Sequence, residues 1–173
     1  MIVKPLSFSA SLLLLLLLTA PFAHAAASCK VVGIADGDTL LVRCEKKRME
    51  RVRLAEIDAP EIGQAFGRRA KESLSAMCYG KQATLKRQKN PDDYGRTLAR
   101  VTCNGKDVNA EQVRRGMAWV YDHYVTDRSL YALQKDAQRA KRGLWAGKKP
   151  TPPWEYRRKE HQASAGKDVR IKK

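Results

Sequence analysis

"CKVVGIADGDTLLVRC", residues 29–44, reads as two apolar-rich strands reversing at Asp36-Gly37, the residue pair of a two-residue hairpin loop. In a hairpin of that kind the numbers of facing residues sum to a constant. Ala35 then faces Asp38, and Cys29 faces Cys44. A disulfide closing this loop adds about 3 kcal/mol in the chain-entropy account. The other two cysteines, Cys78 and Cys103, pair by default. A zinc site is disfavoured, since no two cysteines have CxxC spacing and no histidine lies near one in sequence.

Disulfides belong to an oxidising compartment, and the start of the chain points the same way. Lys4 precedes a leucine run over 12–18, and "AHA" at 23–25 has the small-x-small form of a cleavage site. Residues 1–25 are therefore expected to be a secretory signal peptide, with export to the periplasm or the medium and no membrane attachment after cleavage. A membrane anchor would need roughly 20 apolar residues, more than this run offers.

The chain has 173 residues and a net charge of +16. Residues 148–173 hold nine Lys/Arg against three Asp/Glu, so the tail accounts for only part of the excess. A basic folded domain attracts polyanions: nucleic acid, acidic glycans or anionic lipid surfaces. Charge alone does not choose among them.

Outward from the hairpin, Met49 through Leu54 alternates as a third strand. Residues 63–81 carry Ala65, Phe66, Ala70, Leu74 and Met77 at helical spacing, with Gly80 as a stop. Two further strands, "QATLKRQ" and "GRTLARVTC", flank the turn "KNPDDYG". Asn109 with Gln112 three residues later resembles a capping box and predicts a short helix. A longer amphipathic helix over 126–143 follows, closed by Gly143. The organisation expected is α+β: a five-stranded OB-type barrel with about three helices over 26–147, then a basic Pro-containing extension, 148–173, with no core of its own.

Two acidic stretches could carry chemistry. "DGDTL" has an ordinary reading as a turn; it is not an EF-hand loop, because the twelfth position counted from Asp36 is Lys47. "EIDAPE" has an ordinary reading as a strand end with surface acids. If the hairpin packs beside the third strand, Asp38 and Asp58 converge, and two carboxylates with a main-chain carbonyl and water make a hard-oxygen site suited to Ca²⁺. Glu61 could then take a proton from water. Phosphodiester cleavage also needs guanidinium groups on the phosphate oxygens, for which Arg53 and Arg96 are candidates. Arg53 precedes Asp58 by five residues, so a regular strand would point them to opposite faces. In so basic a chain, an arginine also reads as a salt-bridged or solvated cation.

"DGDTL", "VRLAEIDAPE", "DYGRTLARV" and "VNAEQVRRGMAWV" stand in the order and spacing of the staphylococcal nuclease (thermonuclease) family, which the chain resembles over about Lys30 to Trp145. The resemblance implies an OB-type barrel and a Ca²⁺-dependent nuclease that cleaves single- and double-stranded DNA and RNA to 3′-phosphate and 5′-hydroxyl ends. By position, Asp38 and Asp58 resemble the metal carboxylates, Ala59 the ligand acting through its main-chain carbonyl, and Asp36 an acid behind them. Glu61 resembles the base that activates water, and Arg53 and Arg96 the phosphate-binding arginines. Tyr94 is similar to a nucleotide contact, with Tyr121 and Tyr124 looser matches. The chain departs from the type member in its four cysteines, in a short segment after Glu61, and in Asp93, which stands where that protein has a lysine. The rival is the same barrel as a non-catalytic module binding nucleic acid or another polyanion. Degenerate copies of that kind lose carboxylates or arginines, and all five catalytic and metal side chains are present here. Nothing asks for a partner subunit, and a monomer is expected.

Overall fold

Alternating apolar residues decide which side of each strand turns inward. The computed structural model describes residues 28–44 and 49–171, with side chains of the final helix described through Ser164; the expected leader lies outside the described residues. Strands β1 (Ser28–Ile34), β2 (Thr39–Cys44) and β3 (Met49–Leu54) bury Cys29, Val31, Leu40, Val42, Val52 and Leu54 on one side. A short β4 (Ile57–Asp58) leads to α1 (Gly67–Cys78). Then come β5 (Gln82–Arg87), β6 (Thr97–Cys103), β7 (Lys106–Asp107) and α2 (Val108–Arg114). The chain ends with β8 (Trp119–Val120), α3 (Ser129–Arg139), a 3₁₀ turn at Gly143–Ala146 and α4 (Pro153–Ile171).

The main sheet runs β3-β2-β1-β5-β6-β7, and a parallel pairing of β3 with β6 closes its five long strands into a barrel. This is the α+β, OB-type architecture expected, with four α-helices among the described residues rather than about three. The extra one is α4, formed by the segment read as a coreless tail. Pro153 at its start is buried, and Trp154 packs among aromatic rings. Three prolines in five residues suggested an extended stretch, but Pro153 occupies a helix's first position, where its missing N–H costs nothing.

The hairpin keeps its cysteine register but turns differently. Cys29 faces Cys44 and the two are bonded, as are Cys78 and Cys103. Beyond a bulge between Val31 and Gly33 the register shifts by one, and the Ala35 N–H donates to the Thr39 carbonyl at 2.9 Å. Ala35 thus faces Thr39, not Asp38, across the three-residue loop Asp36-Gly37-Asp38. The extra bulge residue and the extra loop residue compensate, which is why the disulfide survives the miscounted turn.

Two polar residues inside the core tie elements together. Asn109, expected as a helix cap, lies within α2 and is fully buried; Asp107 caps instead, accepting from the Ala110 N–H. The Asn109 side chain accepts from the Val101 N–H and donates to the Ala55 carbonyl, so a core bond replaced the cap role. Glu56 sits in the left-handed region at φ 69° between β3 and β4, a strained position for glutamate. Its carboxylate accepts from the N–H groups of Thr126 and Asp127, at 2.8 and 3.0 Å, and from Arg100 at 3.1 Å. Helix α1 also begins later than its apolar spacing suggests. Ala65 is exposed and Phe66 adopts φ 69° just before Gly67, where a Cβ would lie 1.8 Å from the Glu61 carbonyl.

Burial raises the pKa of Glu56, but the bonds from Thr126 and Asp127 and the Arg100 charge outweigh it and hold it below its ordinary 4.5. Its stabilising contribution is present above that value and lost as pH falls through the lower folded value. Glu56→Gln should cost about 2 kcal/mol at pH 7. Urea denaturation of both proteins should show the gap closing below about pH 4.

Candidate active site

The acids converge because short backbone segments are pressed together. Gly37, between Asp36 and Asp38, lies so close to Ala59 and Ala70 that an added Cβ would sit 2.7 and 2.6 Å from their methyl carbons. Gln112 of α2, fully buried, donates to the Gly37 and Ala70 carbonyls at 2.7 and 2.9 Å. Asp38 accepts the Ala59 N–H at 2.7 Å, and Asp36 accepts the Asp38 N–H at 3.0 Å. Asp58 is fixed by β4, where it faces Trp119 of β8.

Arg53 joins the two acidic segments. Its guanidinium reaches Asp38 at 2.6 Å and Asp58 at 2.8 Å, with only 12% of the side chain exposed. Strand alternation would have placed Arg53 and Asp58 on opposite faces. The turn at Ala55-Glu56 ends β3 between them and restarts the chain as β4, so the five-residue count no longer applies. Burial opposes the charge on Arg53, but the carboxylates of Asp38 and Asp58 outweigh it and raise the guanidinium above its ordinary range. Burial, with Asp38 alongside, raises Asp58 against the lowering by Arg157 and Arg53.

A cleft of about 630 Å³ opens over this centre, lined by Asp36, Asp38, Arg53, Ala59, Glu61, Tyr94, Arg96, Tyr121 and Tyr124. Every catalytic, metal and nucleotide residue expected from the sequence lines one cavity, save Asp58, which is 1% exposed beneath it. Arg96 does not join the carboxylate centre. Its Nε donates to Asp92 at 2.7 Å and its guanidinium lies 5.2 Å from the Tyr94 ring centroid, in the part of the lining that precedes β6. Tyr94 itself is 82% exposed. Tyr121 stacks on Trp154 at 5.5 Å, and Tyr124 meets it edge-on at 5.1 Å.

Arg157 of α4 was not foreseen. It donates to Asp58 at 2.8 Å and to Glu61 at 2.7 Å. The only signal for it was "PPWEYRR", where an aromatic pair could dock the segment.

No group of three or more His, Cys, Asp or Glu side chains among the described residues forms a metal cluster. The donors present fit a hard cation held in another way. Asp38 and Asp58 are buried carboxylates sharing one guanidinium, with the Ala59 main chain beside them, so carbonyl and water oxygens would complete the shell.

Burial and the adjacent Asp38 charge push Asp36 up to about 6. A raised carboxylate contributes stability below its ordinary 3.8 that is lost as pH rises through about 6. In chelator, Asp36→Asn should be more stable than the wild type at pH 7.5, on the order of 2 kcal/mol, and equal to it near pH 4. Thermal melts across that range decide the point.

A family model described as staphylococcal nuclease homologue matches residues 51–147. The chain is 43% identical over 150 residues to an uncharacterized endonuclease of Haemophilus influenzae, covering 87% of this chain and 84% of that protein. It is 42% identical over 132 residues to an uncharacterized endonuclease of Escherichia coli, with 76% and 85% covered. To the micrococcal nuclease of Shigella flexneri it is 40% identical over 146 residues, with 78% and 83% covered. With a five-stranded barrel closed by β3 and β6, and relatives matched over most of both chains, the chain belongs to the staphylococcal nuclease family.

Proposed function

We propose that the protein is an exported, Ca²⁺-dependent, largely sequence-nonspecific nuclease that acts as a monomer on single- and double-stranded DNA and RNA, leaving 3′-phosphate and 5′-hydroxyl ends. The observation that carries this reading is the convergence of Asp38, Asp58 and Arg53 at a single cleft that Glu61 and Arg96 also line. Two guanidiniums lining one cleft suit a phosphodiester, whose oxygens accept from such groups.

In this reading Asp38, Asp58 and the Ala59 carbonyl hold the cation, with Asp36 bracing the Asp38 backbone. When bound there, Ca²⁺ would supply positive charge that offsets the phosphate's. Glu61 accepts the proton of the attacking water. Arg53 and Arg96 donate to the phosphate oxygens as negative charge builds there. Tyr94, exposed at the cleft's rim, offers a ring to a nucleotide, and Tyr121 with Tyr124 offers a second aromatic surface. The net charge of +16 favours capture of a polyanion whatever its sequence. Export is supported by the two disulfides and by the leader expected over 1–25. No helix among the described residues is long and apolar enough to cross a membrane.

The test is digestion of single-stranded DNA by the purified protein with Ca²⁺ or with chelator. Cleavage should need the metal and vanish in Asp38→Ala. Glu61→Gln, Arg53→Ala and Arg96→Ala should each lose on the order of 10²-fold or more in kcat with unchanged circular dichroism. Metal-independent binding without cleavage would instead identify a polyanion-binding module.

A further inference from the structure

The C-terminal segment does not trail away from the barrel. Pro153 is buried, and Trp154 stacks on Tyr121 with 11° between the planes and meets Trp119 edge-on at 5.8 Å. Gln64 links this segment to the acidic loop through one side chain. Its Oε1 accepts the Glu61 N–H at 3.2 Å, while its Nε2 donates to the Thr151 carbonyl at 2.6 Å. A Cβ on Gly63 would come within 3.3 Å of the Tyr156 hydroxyl, a second close approach of α4 to the loop after Glu61.

Arg157 follows Trp154 by three residues, so the anchored ring and the guanidinium share a side of α4. Both ends of the guanidinium are engaged. Nη2 donates to Asp58 Oδ2 at 2.8 Å, and Nη1 divides between Asp58 Oδ1 at 3.2 Å and Glu61 Oε1 at 2.7 Å. A planar fork laid across a carboxylate that is 1% exposed is unlike an ordinary surface ion pair, in which both partners stay in water. Glu61 is held through Oε1.

We propose that Arg157 is a positioning residue of the active site: α4 brings it in to orient the Glu61 carboxylate and to offset the negative charge of the acid cluster before an anionic substrate arrives. Asp36, Asp38 and Glu61 line the cleft with Asp58 beneath it, and Arg53 bridges Asp38 and Asp58 from the barrel. A phosphodiester approaching that set meets repulsion that a second guanidinium reduces. The C-terminal extension is then a working part of the site. The inference rests on the nuclease reading above, in which Glu61 is the base.

The experiment uses the full chain and the variants Arg157→Gln, Arg157→Lys, Glu61→Gln and the double variant Arg157→Gln/Glu61→Gln. Cleavage of a single-stranded oligonucleotide with Ca²⁺ gives kcat and KM, and anisotropy of the same oligonucleotide in chelator gives binding without turnover. Arg157→Gln should lose about 10²-fold in kcat with KM changed only a few-fold. Binding in chelator should weaken about threefold. Arg157→Lys should recover part of both losses, and adding Arg157→Gln to Glu61→Gln should cost little more, because the arginine acts through the glutamate. Wild-type or higher kcat in Arg157→Gln, with Glu61→Gln inactive, would overturn the proposal and make the arginine a passive or blocking contact. Independent, multiplying losses would overturn it as well. Full activity of Glu61→Gln would instead remove the nuclease assignment of this site on which the proposal stands.

Discussion

Asp38 and Asp58 are two carboxylates pushed almost fully out of water, at 4% and 1% exposure, and their charges would repel there without a cation between them. The Arg53 guanidinium is that cation, and much of the molecule is arranged to place it. The β2–β3 pairing sets Arg53 opposite Thr39, next to Asp38. The left-handed turn at Glu56 brings Asp58 back to the same guanidinium. Glu56 can hold that conformation because Thr126, Asp127 and Arg100, remote in sequence, bond to its carboxylate. A strained residue in the turn is thus stabilised by the helical half of the chain, and the acid pair depends on it.

Helix α2 performs a similar service from the core side. Asn109 ties it to the backbone of Ala55 and Val101, and Gln112 ties it to Gly37. These are buried polar side chains with defined partners, a means of fixing relative position that apolar packing alone lacks. The loop carrying Asp36 and Asp38 is therefore held by barrel and helix together. A site that must keep like charges close needs a scaffold of that stiffness.

The parts of this arrangement that were legible in the sequence are those carried by local pattern. Alternation in "RMERVRL" identified β3, and the hairpin count paired Cys29 with Cys44. The bulge near Val32 was hidden because any residue can occupy it, and it cancelled the miscount at the turn. Asn109 misled because a cap and a buried bridge use the same side-chain chemistry, and only the packing of α2 on β6 distinguishes them. Glu56 gave no signal, since its left-handed backbone is imposed by contacts about 70 residues away. Arg157 was overlooked for the same reason: its partners lie 96 and 99 residues earlier, and a basic, Pro-rich stretch looks like a solvated tail.

The parallel pairing of β3 with β6 has a consequence for the order in which the molecule comes into being. Parallel strands cannot be joined by a tight turn, and α1 and β5 lie in the chain between Val52 and Thr97. Contacts that distant in sequence slow folding. Arg96 directly precedes the residue that meets Val52, so this pairing sets it beside β3, the strand that carries Arg53. A chain still emerging from its synthesis machinery has made Arg53 before Arg96, and the cleft that both line needs both strands.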